Sequence, residues 1–86
     1  MTEQAKEKIL KRLARIEGQI RGLSKMIDSE QSCEEITTQV SAAKSAIGRV
    51  GIIILEQKLT ECLLEGKLNE EKIQSLRKML IKMAGS

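Results

Sequence analysis

Apolar residues in the first third of the chain fall at Ile9, Leu13, Ile16, Ile20, Leu23 and Ile27, in steps of four and three. That spacing places them along one stripe of a helix. The stretch DSEQS, residues 28 to 32, breaks the rhythm and reads as a turn. Ser32, followed three residues later by Glu35, is a capping-box pattern that opens a second helix at Cys33. From there Ile36, Val40, Ala43, Ile47, Val50 and Ile54 repeat the spacing, while Ile52, Leu55, Leu59 and Cys62 mark a second apolar stripe. The second helix is therefore predicted to be wrapped on more than one side. It runs to about Glu65, where Gly66 supplies a left-handed stop. Asn69 is placed to cap a third, shorter helix through about Met83, with Ile73, Leu76 and Leu80 as its buried face.

These elements predict an all-α fold: a long antiparallel hairpin of helices one and two, joined by a short turn, plus a short third helix. A two-helix hairpin cannot bury two apolar stripes alone. Pairing two hairpins into a four-helix bundle covers the second stripe, so a dimer is the minimum folded unit expected. Ala42, Ala43, Ala46, Gly48 and Gly51 sit near the middle of helix two and let another helix come close. The chain reads as one domain over residues 1 to 86, without internal repeats.

Composition narrows the picture. The chain has 86 residues and no Pro, Trp, Tyr, Phe or His, so its core is built from Ile, Leu, Val, Ala and Met. A chain this short has a modest core, which again favours oligomers. No apolar run reaches the roughly 18 residues of a membrane span, and the start MTEQAKEKIL lacks a secretory pattern, so a cytoplasmic protein without membrane contact is expected. In reducing cytosol the two cysteines read as buried thiols, metal ligands or a redox pair, not as a permanent disulfide. Net charge is +3, distributed unevenly. Residues 6 to 25 hold seven basic side chains against Glu7 and Glu17, whereas residues 31 to 68 hold four basic and five acidic ones. That asymmetry points to a polyanionic partner for helix one.

Cys33 and Cys62 stand 29 residues apart (62 − 33), which along a helix is roughly 43 Å. They cannot meet within one unbroken helix. Their angular offset is only about 20°, so both lie near one face at opposite ends. A second copy laid antiparallel about a two-fold axis near Ile47 and Gly48 brings Cys33 against Cys62 of the partner, giving two equivalent intersubunit pairs. Amide groups in the first helical turn favour an anionic sulfur at Cys33, although Glu34 and Glu35 oppose it. Cys33 is accordingly assigned as first nucleophile and Cys62, with Lys58 one turn before it, as resolving thiol. Two other readings stay open: both cysteines as buried small hydrophobes, or a two-coordinate Cu(I) bis-thiolate. Zinc, which wants four ligands, is poorly served without histidine.

The segments RLARIEGQIRGLSKMI and SCEEITTQVSAAKSAIGRVG resemble the CsoR/RcnR family of small helical bacterial repressors over roughly residues 8 to 65. The resemblance implies a dimer-of-dimers tetramer that holds double-stranded operator DNA until an inducer reacts at an α2–α2′ cysteine site. In the copper-sensing branch a histidine stands four residues before the second cysteine; here that residue is Lys58, in KLTEC. The nickel and cobalt branch uses several histidines and the formaldehyde branch an N-terminal proline, both absent. Two cysteines without histidine are most similar to the persulfide-sensing CstR type. That type implies attack by Cys33 on a low-molecular-weight persulfide and capture by Cys62 of the partner as a di-, tri- or tetrasulfide. No resident metal or other cofactor is expected.

Lys8, Lys11, Arg12 and Arg15 fall within an arc of about 100° on helix one, away from its apolar stripe. A solvated polar face would look the same. The resemblance implies that Arg12 and Arg49 contact DNA, and the expectation extends to Arg15, Lys8 and Lys44. Without aromatic side chains to stack on bases, duplex recognition through phosphates is favoured over single strands. An enzyme is not expected: a thiol oxidoreductase or sulfur carrier would call for a C-x-x-C motif or an acid–base partner, and neither is present.

Overall fold

The computed structural model describes residues 1–85. Three helices follow one another: α1 (Glu3–Asp28), α2 (Cys33–Leu64) and α3 (Glu70–Gly85). Each start is fixed by a side-chain cap. Thr2 accepts from the amide of Ala5 at 3.1 Å, Ser32 from that of Glu35 at 3.1 Å, and Asn69 from that of Lys72 at 2.8 Å. Of these, Thr2 was not anticipated by the sequence pattern; Ser32 and Asn69 were.

Both corners close with the same motif. At the first, the amide of Gln31 donates to the Met26 carbonyl and that of Glu30 to the Ile27 carbonyl. At the second, Lys67 donates to Cys62 and Gly66 to Leu63. This paired pattern requires one residue in the left-handed region. Gly66 takes it without steric penalty at φ 66°, but at the first corner Glu30 carries φ 54°.

The helices lie side by side in one layer, with α2 in the middle. The Cα extents are 53 × 27 × 11 Å, so the protomer is about as thick as one helix is wide. Antiparallel register between α1 and α2 is marked by the Met1 ammonium on the Glu61 carboxylate and by Gln39 Nε2 donating to the Gln19 carbonyl. Between them Ile9, Ile16 and Val50 are buried, with Leu13, Ala46 and Ile53 packed on them. Beyond Cys62 no other side chain is buried among the described residues, and Ile20, Ile27, Val40, Ile47 and Ile54 are each between 42% and 58% exposed.

The division of the α2 stripes differs from the sequence expectation. Ile52, Leu55 and Leu59 were expected to face a second hairpin; they line a groove with Ile73, Leu76 and Leu80 of the chain's own α3. The reason is the Gly66 corner, which folds α3 back along α2. The small residues are likewise shared out. Ala46 packs on α1, and Met83 of α3 occupies the space above Gly51, where a Cβ would overlap its sulfur. What stays uncovered is Val40, Ile47 and Ile54, a heptad row on α2.

Relieving the strain at the first corner is expected to stabilise the fold. Glu30→Gly should raise unfolding free energy by about 0.5–1 kcal/mol, the left-handed penalty less the entropy glycine adds to the unfolded chain, read by chemical denaturation. Placing a charge in the uncovered row should act on assembly instead: Ile47→Glu is expected to shift the protein to lower oligomers in sedimentation velocity at matched concentration.

Candidate thiol site and nucleic-acid interface

Cys33 is the first residue of α2 and Cys62 the third from its end. Ser32 caps the helix immediately before Cys33, whose carbonyl accepts from Thr37 Oγ1 at 2.8 Å. The Cys62 carbonyl accepts the Lys67 amide at 2.9 Å, so the Gly66 corner closes on the backbone of the second cysteine. The two differ in access: Cys33 is exposed, Cys62 only 4% exposed. Because α2 is unbroken, the structure keeps them at opposite ends of one rod.

Charges gather around Cys62. Lys58 Nζ stands 3.9 Å from Glu61 Oε2, and the Met1 ammonium pairs with the other oxygen of that carboxylate. The ammonium, chiefly by its hydrogen bond, with Lys58 as a smaller contributor, holds the Glu61 carboxyl below its ordinary value. Its contribution to stability is present above that ordinary value and is lost as pH falls through the lowered one. Lys67 is raised by its 2.9 Å contact with Glu65, with Cys62 adding a lesser attraction. That contribution is present below the ordinary lysine value and lost as pH rises through the raised one. Both pairs are solvent-screened and of small energetic weight.

Helical geometry sorts the remaining site residues between the two flat sides of the layer. Around α2, at about 100° per residue, Val40, Ile47 and Ile54 lie within roughly a quarter-turn to one side of the direction facing α1, and Arg49 about as far to the other. Around α1, Lys8, Arg12 and Arg15 all lie to one side of Ile9 and Ile16. Two right-handed helices running antiparallel present these as one side: Lys8, Arg12, Arg15 and Arg49 share a flat face, and the uncovered apolar row occupies the opposite one. Lys44 falls with the apolar row and the two cysteines, apart from the other four cations. The register marked by Met1–Glu61 and Gln19–Gln39 stands Arg12 level with the Ile47–Val50 turn.

Among the described residues Lys8, Arg12, Arg15, Lys44 and Arg49 make no ion pair, whereas Lys6, Lys11, Lys58 and Lys67 each sit on a glutamate. Lys11, the fourth cation of the helix-one arc, is thus partly neutralised by Glu7 at 4.0 Å. Arg12 is half-buried against the hairpin, and Arg15 and Arg49 are exposed. As for metals, no group of three or more His, Cys, Asp or Glu side chains comes together among the described residues. One chain alone supplies one thiol at each end, a donor set that suits a soft two-coordinate ion only when a second chain completes it.

Comparison with known proteins matches this architecture. The family model for metal-sensitive transcriptional repressors fits residues 5–82. The copper-sensing transcriptional repressor RicR of Mycobacterium tuberculosis is 41% identical over 59 residues, covering 69% of this chain and 62% of RicR. The copper-sensing transcriptional repressor CsoR of Bacillus subtilis is 32% identical over 75 residues, 87% of this chain and 74% of that protein. Among solved structures, CsoR with Cu(I) from Geobacillus thermodenitrificans superposes with a TM-score of 0.78 at 34% identity, covering 98% of this chain and 91% of that one. The nickel-responsive regulator InrS gives 0.69 at 32% identity, covering 99% and 91%. A hairpin of this length with a third helix folded back along it, and a family match over nearly all its residues, place the chain in the family of metal-sensitive transcriptional repressors.

Proposed function

We propose that this chain represses transcription by holding operator DNA on the Arg12–Arg49 face, and releases it when an inducer joins Cys33 of one protomer to Cys62 of its partner. The observation that carries this reading is the position of the thiols. They sit at the two ends of one 32-residue helix, on the side that also bears the uncovered Val40, Ile47 and Ile54 row. A second copy covering that row antiparallel, about a two-fold axis near Ile47, brings each Cys33 to a Cys62. Two such dimers forming a tetramer carry twice the basic faces of one, and phosphate contacts from all of them make binding steeply salt-dependent.

Cu(I) is the better-supported inducer. The relatives and the nearer of the two solved structures are named as copper sensors, against the sulfur chemistry drawn from the sequence. Cys33 and Cys62 of the partner would hold the ion, and thiolate softness suits the two-coordinate Cu(I) state. A persulfide is the second reading, favoured by Lys58. Its ammonium, tied to Glu61, faces the side of α2 that carries both thiols and offers no lone pair to a metal. In that chemistry the exposed Cys33 thiolate attacks the outer sulfur of RSSH, releasing RS⁻ and forming Cys33–S–SH. The partner's Cys62 thiol then displaces H₂S, leaving a Cys33–S–S–Cys62 bridge. Exposure of Cys33 and burial of Cys62 fit that order.

Arg12→Ala and Arg49→Ala are expected to weaken operator binding at least about tenfold while leaving the oligomer intact, by fluorescence anisotropy with sedimentation as control. Wild-type affinity in both variants would misplace the DNA face. The inducers separate by mass. Cu(I) should release DNA with a gain of one copper per thiol pair, reversed by a chelator. A persulfide should release it with a covalent dimer, reversed by a reducing thiol and unaffected by the chelator. Release by both reagents from a Cys33→Ser, Cys62→Ser double variant would refute the thiol switch altogether.

A further inference from the structure

Lys44 stands apart from the basic face, yet it lines a groove with Arg49. α3 follows α2 only as far as Gly51, where Met83 closes the end of a cavity of about 470 Å³. Ser41, Ser45 and Gly48 form the floor of this cavity, Lys44 and Arg49 its two walls, and among the described residues no carboxylate lines it. The floor is open, since nothing lies within 4 Å of where a Cβ on Gly48 would stand.

Two features of this groove, coming together at one place, suit an anion. Neither cation is neutralised by a carboxylate among the described residues. The hydroxyls are also unspent. Ser24, Ser29, Thr37, Thr38 and Thr60 donate to the carbonyl one turn back, whereas among the described residues Ser41 and Ser45, like Ser75 on α3, do not. Free hydroxyl donors between two cations match the oxygens of a phosphodiester, which accept from both kinds of group.

We propose that this groove seats a phosphate of the DNA backbone, held between Arg49 and Lys44 with the Ser41 and Ser45 hydroxyls donating to its oxygens. The inference rests on the repressor reading and extends it around α2: Arg49 belongs to both surfaces and carries the duplex over the helix edge. Met83, by closing the groove at one end, makes the placement of α3 part of the phosphate site.

The test uses the full chain and a duplex that the wild-type protein selects from a randomised pool, with affinity read by anisotropy across a salt series. Ser45→Glu puts a negative charge on the groove floor, and Gln74→Glu makes the same charge change on the exposed side of α3. Ser45→Glu is expected to lose at least about tenfold in affinity and Lys44→Ala to flatten the logarithmic salt slope by about one, while Gln74→Glu stays within about twofold of wild type. Circular dichroism and sedimentation confirm that each variant is folded and assembled. Wild-type affinity and slope in Ser45→Glu or Lys44→Ala, with Arg12→Ala defective, would overturn the groove and leave the repressor reading standing. Wild-type binding by Arg12→Ala and Arg49→Ala would instead strike the reading on which the groove depends.

Discussion

The thickness of the protomer governs everything else about it. A layer of helices 11 Å deep has two broad faces and no interior. Ile9, Ile16 and Val50 are buried between neighbouring helices, but nothing in the layer reaches over Val40, Ile47 or Ile54. Aliphatic side chains half in water forgo about 1 kcal/mol or more apiece that burial would return. An 86-residue chain without aromatic residues has little stability to spare for that. In the proposed assembly a second copy covers this apolar face, and the pairing of the thiols takes its geometry from that contact.

The two faces divide the labour. Lys8, Arg12, Arg15 and Arg49, without carboxylate partners among the described residues, lie on the side away from the apolar row, so a copy covering that row would leave them free for a polyanion. The thiols lie on the side of the apolar row, so in the proposed dimer chemistry on them would act where two protomers meet. α3 connects the two. The Gly66 corner at its start bonds the Cys62 carbonyl through the Lys67 amide, and its far end rests on Gly51 through Met83, next to Arg49 and Lys44.

Much of this was legible in the residues. The helix spans, the Ser32 and Asn69 caps and the Gly66 stop follow from local chemistry, which a sequence displays directly. Periodicity located the apolar stripes of α2 but could not say which neighbour takes which, because a helix wrapped on three sides offers similar rows to each. Ile52, Leu55 and Leu59 went to α3 for that reason, leaving the heptad row for assembly. Glu30 in a left-handed conformation was invisible because the corner imposes it, not the residue. For the site, the arc of Lys8, Arg12 and Arg15 was readable from spacing, but the coincidence of its side with that of Arg49 depends on helix handedness and register. The resemblance in the first two helices pointed to the repressor family, and the family match bears that out. It also pointed to persulfides, where the named relatives favour copper.

The central claim is that Cys33 and Cys62 are partners only across chains. Mixing Cys33→Ser chains with Cys62→Ser chains and applying mild oxidation tests it, because each mixed dimer retains a single Cys33–Cys62 pair. The account requires covalent dimers in the mixture, with a peptide joining the two cysteines by mass spectrometry, and none from either variant alone. Equal crosslinking by one variant on its own, or none in the mixture, would contradict it.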